Sequence, residues 1–129
     1  MTPELTALTL AALLQITQIA LYSSIARRQV GNKAAFKPRD EPIILTGIAG
    51  RAQRAMNNHF EGLLLFAIAA LIITLSEQST PLTAFCAGLY VAARVIYIPA
   101  YLFGWVPWRS FIWSISILAS TLMLISALL

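Results

Sequence analysis

The sequence predicts an all-α integral membrane protein, built as a bundle of four transmembrane helices. Of its 129 residues, 59% are apolar and only 11% are charged. Four stretches are long and apolar enough to cross a bilayer, which takes about 20 mostly apolar residues. They occupy most of the chain, so we expect residues 1–129 to form a single four-helix membrane domain without a separate soluble domain.

Each expected helix contains one of these stretches. The first is uncharged over residues 5–26, the fourth is uncharged over 110–129, and Arg94 alone interrupts the third. The first run exceeds the 7–15 residues of a signal-peptide core and follows no Lys or Arg, so we expect this helix to remain in the mature protein. The expected helices span about residues 3–28, 47–76, 80–104 and 108–129.

The basic residues predict the topology. All but Arg94 lie between helices one and two, at the flanks of that connection, or at the turn between helices three and four. By the positive-inside rule, these connections face the cytoplasm and both termini lie on the other side. The net charge of +4 therefore reflects topology, and we predict no nucleic-acid binding. The basic residues are Arg27, Arg28, Lys33, Lys37, Arg39, Arg51, Arg54, Arg94 and Arg109.

The single cysteine and the single histidine argue against disulfide redox chemistry and against metal binding. Cys86 is the only cysteine, so an internal disulfide or a Cys-x-x-Cys redox pair is impossible. His59 has no second metal-type ligand at a useful spacing, and we predict no metal site. The polar residues Gln15, Gln18 and Tyr22 share one face of helix one and are expected to form hydrogen bonds between helices.

A first polar stripe runs into the apolar part of helix two. At about 100° per residue, its four members fall at about 0, −60, −20 and −80° around the helix axis. Charged groups at membrane depth are costly and commonly mark functional sites. The stripe consists of Arg51, Arg54, Asn58 and Glu61.

A second polar stripe lies on one face of helix three and contains Tyr90, Arg94, Tyr97 and Tyr101. Arg94 is roughly 18 Å and 13 Å from the two helix ends at about 1.5 Å per residue, so we expect it to face the bundle and pair with Glu61. One interpretation is a buried ion pair that only fixes helix register. The other is a binding site for an anion.

Charge counting favours the anion site. Arg51, Arg54, Arg94 and Arg109 are expected near a single acid, Glu61. Arginine holds carboxylates and phosphates well, and Asn58 and Glu61 could accept hydrogen bonds from amide or ammonium groups. These residues alone predict a small anionic peptide or a phosphate compound. The basic residues beside helix one could instead contact anionic lipid; they are Arg27, Arg28, Lys33 and Lys37.

These residues resemble the motifs of the membrane-associated eicosanoid and glutathione metabolism family. Arg51-x-x-Arg54-x-x-x-Asn58-x-x-Glu61 is similar to the pattern of its second helix, and Arg94-x-x-Tyr97-x-x-x-Tyr101 is similar to that of its third. Pro107-Trp108-Arg109-Ser110 resembles the start of the fourth helix in one branch. Gly62 stands where some members carry an aromatic residue.

The resemblance implies a homotrimer that binds glutathione, as a co-substrate, between neighbouring subunits on the cytoplasmic side. Arg109 would stabilise the glutathione thiolate, and Ser110 could instead donate a hydrogen bond to the sulfur. Arg27 would reach in from a neighbouring subunit. The glutathione-binding residues carried over by position are Arg27, Arg51, Arg54, Asn58, Glu61, Arg94, Tyr97 and Tyr101.

The function expected from this resemblance is that of a membrane-bound glutathione transferase or peroxidase acting on hydrophobic electrophiles dissolved in the bilayer. The apolar exterior and short length suggest a bacterial-type member in an inner membrane, with both termini periplasmic. Two alternatives remain open at this point. One is a catalytically silent protein that binds glutathione or another anion, and the other is a small-molecule transporter.

Overall fold

The protein is all-α over the residues that a computed structural model describes, 1–38 and 40–129. Its helices are α1 (Pro3–Ala35), α2 (Gly47–Leu75), α3 (Pro81–Leu102) and α4 (Trp108–Leu128). All four are long and apolar enough to cross a membrane, which confirms the predicted fold class. Arg39, counted above among the basic residues, lies outside the described residues.

Local sequence explains where α1 and α3 start. The Thr2 side chain accepts a hydrogen bond from the backbone N–H of Leu5, and Pro3 occupies the first turn of α1. At α3, Thr80 and Thr83 form a reciprocal capping box, again with a proline, Pro81, in the first turn. These side chains satisfy N–H groups that a helix terminus otherwise leaves unpaired, so both starts are well defined.

The first helix is longer than expected: it ends at Ala35, whereas the sequence predicts an end near residue 28. Hydropathy marks only the apolar part of a helix, whereas backbone hydrogen bonding continues through the charged residues that follow. Gly31, with φ of 82°, interrupts the helical geometry within this extension. Such a positive φ is readily adopted by glycine. The basic end of α1 therefore projects beyond the apolar part of the bundle.

The helices form a four-membered ring in which α1 contacts α2 and α3, and α4 contacts the same two helices. α2 and α3 also contact each other across the centre, whereas α1 and α4, both described in full, do not meet. Small residues let the backbones approach closely, as is common between membrane helices. The core includes Ala7, Ala11, Phe66, Ala69, Ala70, Ile73, Cys86, Ala87, Tyr90, Ala119 and Met123.

A buried carboxylate links the N-terminal ends of α1 and α3. Glu4 has no exposed surface. The Ser79 hydroxyl donates to both of its carboxylate oxygens, at 3.1 and 2.9 Å, and the Thr83 hydroxyl donates to one of them. Beside it, the Thr2 and Thr74 hydroxyls are 2.9 Å apart. Hydroxyl donors thus replace water around a charge that burial would otherwise destabilise.

We predict that Glu4→Gln lowers the free energy of unfolding by about 1–3 kcal/mol, because an amide offers only one acceptor oxygen to these hydroxyls. Glu77→Gln is the matched control, since Glu77 is an exposed acid at the same end of the bundle. Unfolding in mixed micelles, followed by circular dichroism, measures both variants. Equal stability of the two variants would show that the Glu4 contacts do not stabilise the fold.

Candidate functional site

The first polar stripe runs along the edge of the buried face of α2. Relative to Arg51, the buried residues Ala55, His59, Gly62 and Phe66 fall at about 40, 80, 20 and 60° around the axis. The stripe falls between about 0 and −80°. Asn58 therefore lies close to the helix interface, whereas Arg54 and Glu61 lie further out. Burial agrees, because Asn58 is partly buried and the other two are exposed.

Tyr101 contacts two of the arginines that the sequence predicts to lie at the site. Arg54 Nε donates a 3.1 Å hydrogen bond to the Tyr101 hydroxyl, and Arg54 Cζ is 6.0 Å from the centre of its ring. Arg109 Cζ, from the start of α4, is 4.9 Å from the centre of the same ring. Cation–π contacts of this kind hold guanidinium groups in place without neutralising them. One protomer thus places residues of α2, α3 and α4 in a single cationic cluster.

Arg94 forms the inner part of the site. It is only 1% exposed, and its Nη2 donates a 2.9 Å hydrogen bond to Asn58 Oδ1. Its Cζ lies 4.6 Å from the centre of the Tyr97 ring, which is itself 4% exposed and 5.6 Å from the Tyr101 ring. The second polar stripe therefore connects a buried arginine to the outer cluster through two tyrosines.

The expected pairing of Arg94 with Glu61 is wrong for the described part of the chain, where Arg94 bonds to Asn58 instead. The reason is geometric. Asn58 lies at about −20° on α2, next to the buried face, whereas Glu61 lies at about −80° and points away from α3. A register-fixing ion pair therefore does not explain the stripe, and Glu61 is left exposed on the outside of the protomer.

Gly62 allows α3 to approach the stripe closely. A Cβ at this position would lie 3.2 Å from the Tyr90 hydroxyl oxygen and 3.9 Å from Arg94 Cζ. Tyr90 in turn stacks on Phe66, with ring centres 4.0 Å apart and planes 6° from parallel. The lack of a side chain at Gly62 therefore leaves room for the Tyr90 hydroxyl, with Arg94 at ordinary van der Waals distance beside it.

The remaining residues that the sequence predicts for the site lie around the cationic cluster or apart from it. Arg51 is partly buried, and its Nε has no hydrogen-bond partner within the described residues. Ser110 is exposed beside Arg109. Arg27 lines a separate cavity of about 430 Å³, opposite Gln53, which lies about 200° around α2 from Arg51. Arg27 Cζ lies 5.9 Å from the centre of the Phe36 ring, and its approach to the site from a neighbouring subunit stays a prediction.

Two of the three polar residues of α1, Gln15 and Tyr22, form the predicted hydrogen bonds between helices, whereas Gln18 Nε2 is buried without a partner among the described residues. His59 Nδ1 and Gln15 Oε1 are 2.9 Å apart, and Gln53 donates a 3.5 Å hydrogen bond to the Tyr22 hydroxyl. Within the described residues, no group of three His, Cys, Asp or Glu side chains could hold a metal ion. His59 is therefore part of the packing between α1 and α2.

A protein-family model identifies the chain over residues 5–129, nearly its whole length. The chain belongs to the MAPEG family. No curated protein and no solved structure gives a significant match. The family match agrees with the resemblance of the two helical motifs, and the four apolar helices fit the integral membrane protein that this family implies.

Two features of this MAPEG protein are not apparent from sequence motifs. The motif predicts Asn58 as an acceptor for the ligand, but its oxygen accepts a hydrogen bond from Arg94. From the motif, Gly62 is only a departure from some members, whereas in the structure it leaves room for the Tyr90 hydroxyl. A glycine directly after a charged stripe on a membrane helix is the signal that could have indicated close packing there.

We predict that Gly62→Val lowers the free energy of unfolding by about 1–3 kcal/mol, because a Cβ there already lies 3.2 Å from the Tyr90 hydroxyl and two further methyl groups would overpack the interface. Gly88→Val is the matched control, since a Cβ there meets nothing within 4 Å. Both changes place a β-branched residue inside a membrane helix, so their difference isolates the packing effect. Equal stability in a detergent unfolding assay would contradict the close approach.

Proposed function

We propose that this protein is a membrane-bound glutathione transferase or peroxidase acting on hydrophobic electrophiles. The observation that carries the proposal is the contact of Arg54 and Arg109 with the same tyrosine, Tyr101. Neither arginine is paired with an acid among the described residues. Uncompensated cations next to an apolar bundle favour an anionic ligand.

Glutathione matches the chemistry of the cluster and membership of the MAPEG family. Its two carboxylates suit the guanidinium groups of Arg51 and Arg54, which can bind carboxylates through paired hydrogen bonds. Its ammonium group suits the exposed carboxylate of Glu61. The buried residues Arg94 and Tyr97 would support these contacts from within the protomer, where they have almost no surface of their own.

The proposed active assembly is a homotrimer in a bacterial inner membrane. Exposed charges at Arg54 and Glu61 cannot face lipid at low cost, which favours their placement at boundaries between subunits. In such an assembly, Arg27 of a neighbouring subunit could reach the ligand. The basic connections would lie on the cytoplasmic side, where glutathione is available, and both termini on the periplasmic side.

Arg109 is the proposed catalytic residue. A thiol with a pKa of about 8.5 is mostly protonated at neutral pH, and a nearby cation favours the reactive thiolate. In the transferase reaction, the thiol proton leaves to water and the sulfur lone pair forms a bond to the electrophilic carbon. A leaving group such as a halide departs with its bonding electrons. Ser110 remains an alternative donor to the sulfur.

The peroxidase reaction would use the same thiolate. The sulfur would attack one oxygen of a lipid hydroperoxide, giving an alcohol and the sulfenic acid of glutathione. A second glutathione would then reduce this sulfenic acid, producing oxidised glutathione and water. The substrate is reduced, two thiols are oxidised, and no further reductant is needed.

We predict that Arg109→Ala retains glutathione binding but lowers turnover by about 10²-fold or more, as for loss of one donor that stabilises developing charge. Thiolate absorbance, binding and conjugation of an aryl halide are measured on the same preparations. Arg28→Ala is the control, because Arg28 is an exposed arginine on α1.

Unchanged thiolate formation and turnover in Arg109→Ala would move the catalytic role to Ser110. If the wild-type protein binds glutathione without forming a thiolate, the protein is a catalytically silent member of the family. If the wild type binds no glutathione, the proposed function is wrong.

A further inference from the structure

We infer that Asn58 presents its amide N–H₂ group, and not its oxygen, to the bound ligand, and that Arg94 is the positioning residue that enforces this orientation. The inference rests on the proposed function and specifies the ligand chemistry at this point of the site. Asn58 would recognise an acceptor, most simply a carboxylate of glutathione. Glu61 would then be the acceptor for the ammonium group of the ligand.

The orientation of Asn58 follows from the chemistry of arginine. A guanidinium has five N–H donors and no acceptor, so the Asn58 atom 2.9 Å from Arg94 Nη2 must be the amide oxygen. The two ends of an amide group point in different directions. With the oxygen directed at α3, the N–H₂ group is directed away from Arg94.

The packing of Arg94 prevents the opposite orientation. Its side chain is 99% buried, one side lies over the Tyr97 ring, and the space above Gly62 is shared with Tyr90. If Asn58 turned its N–H₂ group inward, donors would face donors in a buried setting, which is unfavourable. Arg94 Nε and Nη1 have no hydrogen-bond partner within the described residues, so Asn58 is the acceptor that this buried cation contacts.

The partial exposure of Asn58 makes the N–H₂ group available to a ligand. Arg94 is almost fully buried, Asn58 is partly buried and Arg54 is exposed, so the three form a series from the interior to the outside. A ligand that reaches Arg54 would meet the amide of Asn58 before it could meet Arg94. Arg94 therefore acts on the ligand through Asn58 and is not expected to touch it.

The substitution Asn58→Asp separates a donor role from an acceptor role. An aspartate would still accept the hydrogen bond from Arg94, so the fold should be retained. Its outer oxygen would carry negative charge in place of N–H donors. We expect the dissociation constant of glutathione to rise by about tenfold or more, the size typical of losing a hydrogen bond to a charged group. If Asn58 instead accepts from the ligand ammonium, the same change should strengthen binding.

Two controls make the result specific. Asn57→Asp adds the same charge one residue away, at an exposed position, and should change the glutathione dissociation constant by less than about threefold. Glutathione diethyl ester lacks both carboxylate charges. Asn58→Asp should therefore raise its dissociation constant by a smaller factor than it raises that of glutathione. The thermal transition of each variant is measured in parallel to confirm that it folds.

The positioning role of Arg94 is tested by Arg94→Met and Arg94→Lys. Methionine cannot donate to Asn58, so the KM for glutathione should rise while kcat at saturation stays near the wild-type value. Lysine retains a donor and should restore part of the lost affinity. A loss confined to kcat, or no rescue by lysine in a folded protein, would overturn the positioning role.

The failures of the two proposals are distinguishable. Wild-type protein that binds no glutathione overturns the proposed function, and the inference with it. Wild-type protein that binds glutathione, together with a folded Asn58→Asp variant that binds it equally well or more tightly, overturns the inference alone.

Discussion

The burial of the Arg94 guanidinium within four apolar helices is the constraint on which the site depends. A charge in this setting needs polar partners, and here it has one hydrogen bond to Asn58 and one aromatic face from Tyr97. The absence of a side chain at Gly62 lets the Tyr90 hydroxyl approach α2 closely beside this arginine. Through its hydrogen bond, an interior residue of α3 thus fixes Asn58 of the first polar stripe on α2.

The outer part of the site follows from the same arrangement. Tyr97 lies over Arg94 and is 5.6 Å from Tyr101, which in turn contacts Arg54 and Arg109. The rings of Tyr97 and Tyr101 thus lie between the buried Arg94 and the outer arginines, of which Arg54 is exposed and Arg109 is partly buried. The site collects positive charge at one end of the bundle, whereas the buried acid Glu4 is held by hydroxyls at the other. Among the described residues, Arg54 and Arg109 contact Tyr101 and have no acidic partner, which supports an anionic ligand.

Much of the fold could be predicted from the sequence, because hydropathy and helix length directly report four apolar helices. The extension of α1 past residue 28 could not, since its charged residues carry no hydropathy signal although they continue the helix. At the site, angular spacing correctly grouped Arg51, Arg54, Asn58 and Glu61 on one side of α2. It could not predict which of them faces Arg94, because that depends on how α2 and α3 pack. The role of Gly62 and the orientation of Asn58 become apparent only from this packing.

Glutathione binding at the cationic cluster is tested most directly by native mass spectrometry of the wild-type protein, released from mild detergent micelles at increasing glutathione concentrations. A single measurement reports both the number of protomers and the number of ligands bound. We expect a three-protomer complex that binds up to one glutathione per protomer in a saturable manner. A complex that shows no glutathione binding at millimolar concentration would show that the cationic cluster is not a glutathione site.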